Sequence, residues 1–162
     1  MSSTSLPAQS SPGASPPPVP AVRLPGAPVL LAGIGQAVWI DPEEGEVLRL
    51  APAEAVRRAR QTPPMLCHAR ATARRLESDP FPAFDLLELF AFVRPASFCA
   101  PTAHGLAAAL GRPEPEDSEA AAIALPALAR DLLAELAARG TSDPRSLGGG
   151  DRDAPGIAWL MA

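Results

Sequence analysis

The apolar positions along the chain change period several times. Gln36–Ile40 (QAVWI) and Glu46–Leu50 (EVLRL) are short β-type runs, and the turn-rich DPEEG between them predicts a hairpin. Pro52–Arg60 (PAEAVRRAR) opens with proline at a helix start. It sets Ala55, Val56 and Ala59 on one side and Arg57, Arg58 and Arg60 largely on the other, which predicts a short amphipathic helix. After a proline break, the apolar run of Met65–His68 (MLCH) predicts a buried strand ending at His68, and a short helix carrying Arg70, Arg74 and Arg75 follows.

Phe81–Pro95 (FPAFDLLELFAFVRP) reads as one helix. Phe84, Leu87, Phe90 and Val93 fall at helical spacing, Leu86, Leu89 and Phe92 widen the stripe, and Pro95 ends it because the residue before a proline avoids the α region. Thr102 and Gly111 predict the caps of a small helix in PTAHGLAAALG. Glu119–Arg139 is Ala- and Leu-rich and helical, with Gly140 after it; Pro126 predicts a kink or a fresh start inside it. TSDPRSLGGGDRDAPG reads as a flexible loop. Ile157, Trp159, Leu160 and Met161 begin a further element, so the chain is expected to continue past Ala162 as part of something longer.

Composition divides the 162 residues into three parts. Residues 1–28 are Ser, Pro, Ala and Gly with almost no large apolar side chains, too little to offset ordering entropy, and are expected to be a disordered tail. Residues 29–140 form the domain, and 141–162 a linker and the start of the following element. No basic start leads into an apolar segment, and no apolar run spans a bilayer, so a cytoplasmic chain with no membrane partner is expected.

The net charge of -4 argues against bulk coating of nucleic acid, but its distribution matters more. Between Val47 and Arg75 seven arginines face one acid, Glu54, while Glu114–Glu119 is an acidic cluster. Every basic residue is Arg, which a GC-rich coding bias explains without function. Cys67 and Cys99 lie near His68 and His104, yet neither pair has the tight ligand spacing of a zinc site.

The order strand, His, helix, FDLLELF, PT..GLAAALG and Ala-rich helix resembles the second half of the RNase H-like 3'-5' exonuclease domain of the DEDD type. The corresponding stretches are His68–Ala73, Asp85–Phe92, Gly105–Gly111 and Glu116–Leu125. More specifically, Phe84–Gly111 is similar to the N-terminal accessory region of DinG-type ATP-dependent DNA helicases, and the similarity extends over about Gly35–Ala162. It implies an α/β fold: a truncated, degenerate RNase H-like exonuclease domain with a small sheet and several helices.

The exonuclease mechanism needs four carboxylates around two divalent ions. Ala73 stands where the second motif carries its Asp, Ala69 replaces the neighbouring Asn, and the last motif has no His-to-Asp pair. Asp41 and Glu43 have the spacing of the first motif, but a turn is the simpler role. The span from there to Met65 is also too short for the family's three strands. Asp41, Glu43, His68 and Asp85 are therefore read as motif remnants, with no catalytic or metal-binding residue expected. A phosphate-binding Walker loop needs a lysine that this chain lacks. ATP and Mg are implied only for helicase motor domains elsewhere, and no cofactor is expected in this chain.

Three functional readings remain. The first is a non-catalytic accessory domain of a helicase, whose partners are the motor domains and DNA, contacted by Arg57, Arg58, Arg60, Arg70, Arg74 and Arg75 as one face. The arginines equally read as a solvated face balancing the acids. The second is a stand-alone interaction module using Ile157–Met161, and the third a residual metal-dependent nuclease using Asp41, Glu43 and Asp85.

Overall fold

The computed structural model describes residues 24–142; the tail before them and the terminal segment with Ile157–Met161 lie outside the described residues. A five-stranded mixed sheet has the order β3-β2-β1-β4-β5. β1 (Val29–Ala32), β2 (Ala37–Ile40) and β3 (Val47–Leu50) form an antiparallel meander, while β4 (Met65–Leu66) and β5 (Phe84–Asp85) add parallel to β1. The helices are α1 (Pro52–Gln61), α2 (Ala69–Arg75), α3 (Leu86–Val93), α4 (Ala103–Ala109) and α5 (Ser118–Ser142).

Alternation along the strands sorts the side chains into two cores. Leu30, Ala32, Ala37, Trp39 and Leu66 point to one face and pack with Ala55, Val56 and Ala59 of α1 and with Ala73, Leu76 and Phe81. Val29, Val38, Met65 and Cys67 point to the other, under α3, α4 and α5. The register Leu30↔Trp39 and Leu31↔Val38 keeps like-facing residues opposite each other. A slip of one residue would exchange the two faces of β1.

The hairpin, α1, α2 and the caps of α4 stand where the sequence predicts them. Thr102 accepts from Gly105 N at 3.0 Å, and Gly111 takes φ 67° after α4. Four expectations change. β1, which no alternating pattern announces, is the centre of the sheet; lying upstream of Asp41, it brings to three the strands that precede β4. The described chain begins ahead of the expected boundary: Leu24 packs against the core and Pro28 O accepts from Met65 N at 2.7 Å.

The third change concerns Phe81–Pro95. Phe84 and Asp85 are strand, paired with Met65 and Leu66, and the helix starts only at Leu86. The buried stripe is Leu86, Leu89, Phe90 and Val93, whereas Phe92 is exposed. Asp85 causes the break. Its Oδ1 accepts from Leu87 N at 2.9 Å and Glu88 N at 3.3 Å, the geometry of a helix N-cap, and its Oδ2 accepts from Ala69 N at 2.7 Å. One carboxylate thus fixes the starts of both α2 and α3.

Fourth, α5 runs from Ser118 to Ser142 through Pro126 with no fresh start. Proline inside a helix costs about 3 kcal/mol. Leu125, Leu128, Leu132 and Leu133 are each at most 2% exposed, and burying a leucine contributes about 1.5–3 kcal/mol. Packing on both sides of Pro126 therefore outweighs the lost hydrogen bond. At the far end Arg94 donates to Glu135 at 2.9 Å and to Ala109 O at 2.6 Å, tying the C-termini of α3 and α4 to α5.

Two stability outcomes follow from this packing. Asp85→Ala removes a cap and leaves Ala69 N–H without its acceptor, so urea unfolding is expected to show a loss of about 2–4 kcal/mol at unchanged slope. Asp85→Asn, which keeps one acceptor oxygen, is expected to lose less, and equal losses would refute the capping account. In α4, a Cβ on Gly105 would lie 2.3 Å from Ala100 O, a backbone atom. Gly105→Ala is expected to destabilise by about 1–3 kcal/mol despite the better helix propensity of alanine; a stabilised variant would mean the loop before α4 yields freely.

Candidate functional site

Because β1 and β4 are parallel neighbours, their carboxyl ends lie side by side, at Ala32 and Cys67. The chain leaving β4 enters α2 at once through His68. A cavity of about 280 Å³ opens there, lined by Ala32 and Gly33 after β1, Cys67 and His68 after β4, Thr72 and Arg75 of α2, and Thr102, His104 and Ser118 across from them. Crevices at the carboxyl ends of parallel strands are where open α/β sheets place their ligands.

His68, expected as the end of a strand, caps α2: Nδ1 accepts from Ala71 N at 3.1 Å, and the side chain is half-buried. An acceptor Nδ1 puts the imidazole proton on Nε2, which is then a free donor. Arg75 donates from Nη1 to Ala32 O at 3.2 Å, bridging α2 to the end of β1. Burial, with smaller contributions from Asp85 and Cys99, pushes the Cys67 thiol up to about 12, so it stays neutral and unreactive at ordinary pH.

The four motif remnants divide between the two ends of the sheet. Asp41 follows β2, whose last residue Ile40 pairs with Val29 at the start of β1. Its Oδ1 accepts from Glu43 N at 2.9 Å and its carbonyl from Gly45 N at 2.9 Å, a tight turn with Glu43 exposed. His68 lies just past β4 at the opposite end, about 13 Å away along the strand direction, and Asp85, the last residue of β5, lies three strand spacings across the sheet from β2, about 14 Å. Asp41, Glu43 and Asp85 therefore cannot share a metal ion, and Asp85 is already committed to three backbone N–H groups.

The two ions that the exonuclease resemblance implies do not fit this donor set. No carboxylate lines the cavity, and no cluster of three or more His, Cys, Asp or Glu suited to a metal exists among the described residues.

The six arginines have different surroundings. Glu54 receives Arg57 at 2.8 and 2.6 Å and Arg58 at 2.9 Å. Hydrogen bonds from Arg57, then Arg58, hold its carboxyl down at about 2, so at neutral pH it is fully ionised. Since that value lies below the unfolded one of about 4.3, this triad's contribution to α1 is present above pH 4.3 and is lost as pH falls toward 2. Arg60 and Arg74 line one cleft of about 830 Å³ between α1 and α2 that Glu77 and Asp79 also line, and neither arginine has a hydrogen-bond or ion-pair partner among the described residues. Arg70 opens onto a separate hollow beside Glu88, and Arg75 belongs to the strand-end cavity.

Thr72 and Ser118, which no sequence motif singles out, and His104, weighed in the sequence only as a zinc ligand near Cys99, are the additions of the fold. They come from three separate segments, and only the adjacency of the ends of β1 and β4 assembles them. Comparisons with protein-family models, curated proteins and solved structures yield no match to this chain. What the structure establishes is a mixed α/β fold with no helix, among the described residues, long and apolar enough to cross a membrane.

A labelled single-stranded oligonucleotide incubated with the protein and Mg²⁺ or Mn²⁺ is expected to stay intact, as resolved on a denaturing gel. Metal-dependent cleavage that rises with protein concentration would overturn the reading of the donor set.

Proposed function

We propose that this chain is a non-catalytic accessory domain of an ATP-dependent DNA helicase, a degenerate RNase H-like exonuclease fold that positions DNA for a motor carried elsewhere. Support comes from the similarity of Phe84–Gly111 to the DinG-type accessory region and from the element order. An antiparallel three-stranded meander leads through a helix to a strand ending in His68, then to a helix, the FDLLELF segment and the Ala-rich helix.

The observation that carries the DNA-binding part is the convergence of Arg60 and Arg74 on one cleft between adjacent helices. Two guanidiniums without protein partners can pair with successive phosphates and release counterions. Arg57 and Arg58 contribute little, because Glu54 already cancels much of their charge. No aromatic side chain lines this cleft, so base stacking adds nothing and binding is weak and electrostatic.

Fluorescence anisotropy with a labelled single strand across a salt series tests this. Affinity is expected to fall steeply with salt, with each phosphate contact contributing about 0.7 to the logarithmic slope. Arg60→Ala with Arg74→Ala is expected to lower the slope by about 1.4, whereas Arg57→Ala with Arg58→Ala changes it by less than half of that. Salt-insensitive binding, or none, would remove the DNA-positioning role.

A further inference from the structure

We propose that the cavity at the carboxyl ends of β1 and β4 binds a phosphate monoester group without a metal ion. Its chemistry is that of an anion site. Arg75, His68 and His104 supply one guanidinium and two imidazoles, Thr72, Thr102 and Ser118 supply hydroxyls, and the lining holds no carboxylate.

Three acids on the elements packed around it have partners of their own. Asp85 binds the N–H groups of Ala69, Leu87 and Glu88; Asp117 accepts from Ala120 N at 2.8 Å; and Glu119 pairs with Arg49 at 3.7 Å. The thiol of Cys67 is neutral and adds no negative charge.

A second observation is independent of charge. Thr72 is only 8% exposed, lines the cavity, and its hydroxyl has no hydrogen-bond partner among the described residues. Buried polar groups are almost always satisfied, so an orphan hydroxyl at a cavity wall marks where a ligand oxygen belongs. Arg75 is positioned for the same ligand. Its Nη1 is tied to Ala32 O, which orients the remaining N–H groups before anything binds. Thr102 accepts from Gly105 N through its oxygen, leaving its hydroxyl hydrogen to donate.

Size narrows the ligand. A volume of about 280 Å³ lies just under the range of drug-sized pockets, room for a phosphate and little more than an attached sugar. The shared chemistry is a dianionic phosphate group, either as inorganic phosphate, on a mononucleotide, or at the end of a nucleic-acid strand. This site is separate from the Arg60 and Arg74 cleft, and the proposal does not rest on the helicase reading.

The test is a titration of the full chain in EDTA, followed by amide chemical shifts, with inorganic phosphate, a mononucleotide, and an oligonucleotide with and without terminal phosphates. Saturable shifts at Gly33, Thr72 and Arg75 are expected for every phosphate monoester and for no unphosphorylated strand. Tighter binding of the phosphorylated strand than of phosphate assigns the strand end as the source, and equal binding assigns a small molecule. Arg75→Ala is expected to weaken binding at least tenfold, and Thr72→Val, nearly the same shape, several-fold, while Arg60→Ala changes nothing here. His104→Ala, at an exposed position, gives a further loss with no risk to folding. Absence of saturable binding, binding that needs Mg²⁺, or an undiminished affinity in Arg75→Ala and His104→Ala overturns the proposal.

Discussion

The buried carboxylate of Asp85 is the constraint on which the placement of the rest depends. At 4% exposure it is held by the N–H groups of Ala69, Leu87 and Glu88 and has no cationic partner among the described residues. Those bonds stop β5, start α3, and pin the first residue of α2 next to the end of β4. His68 is the residue immediately before that pinned N–H, so its ring, its bond to Ala71 and the wall of the strand-end cavity all inherit their position from Asp85. An unpaired buried charge is costly and a backbone-solvated one much less so, which is why one aspartate can organise two helices without an arginine partner.

The sheet is the second level of the same arrangement. β1 contributes Leu30 and Ala32 to the core under α1 and α2, and Val29 to the core under α3, α4 and α5. With both faces covered, its sequence is a continuous apolar run and shows no alternation. That is why VLLA was illegible as a strand while QAVWI and EVLRL, nearer the edge and flanking the Asp41 turn, were legible. β5 was hidden for a different reason. Two residues carry no period, and FD merges into the helical spacing that follows unless Asp85 is recognised as a cap. Pro126 does not end α5 because burial of four leucines outweighs the local rule.

Legibility of the candidate site follows the range of the interactions. The amphipathic side of α1 and the Thr102 cap depend on residues within four positions of each other and are legible directly. The neutralisation of Arg57 and Arg58 was available in the same way, since Glu54 precedes them by three and four residues, the spacings at which helical ion pairs form. The convergence of Arg60 with Arg74 is different, because it depends on α1 and α2 packing side by side over β1. The strand-end cavity is further still from the sequence, drawing on five segments between Leu31 and Ala121.

Charge at the strand ends decides what chemistry this architecture can host. A nuclease of the resembled type requires several carboxylates converging there, a field that attracts cations and repels phosphate until the metal arrives. Here the positions around the end of β4 carry Ala69, Ala73 and the neutral thiol of Cys67, the one nearby aspartate is consumed by backbone donors, and Arg75 leans over the end of β1. Among the described residues the cavity lining therefore presents hydrogen-bond donors and no carboxylate. An anion entering such a site meets hydrogen-bond donors directly, and no divalent ion is needed to screen it.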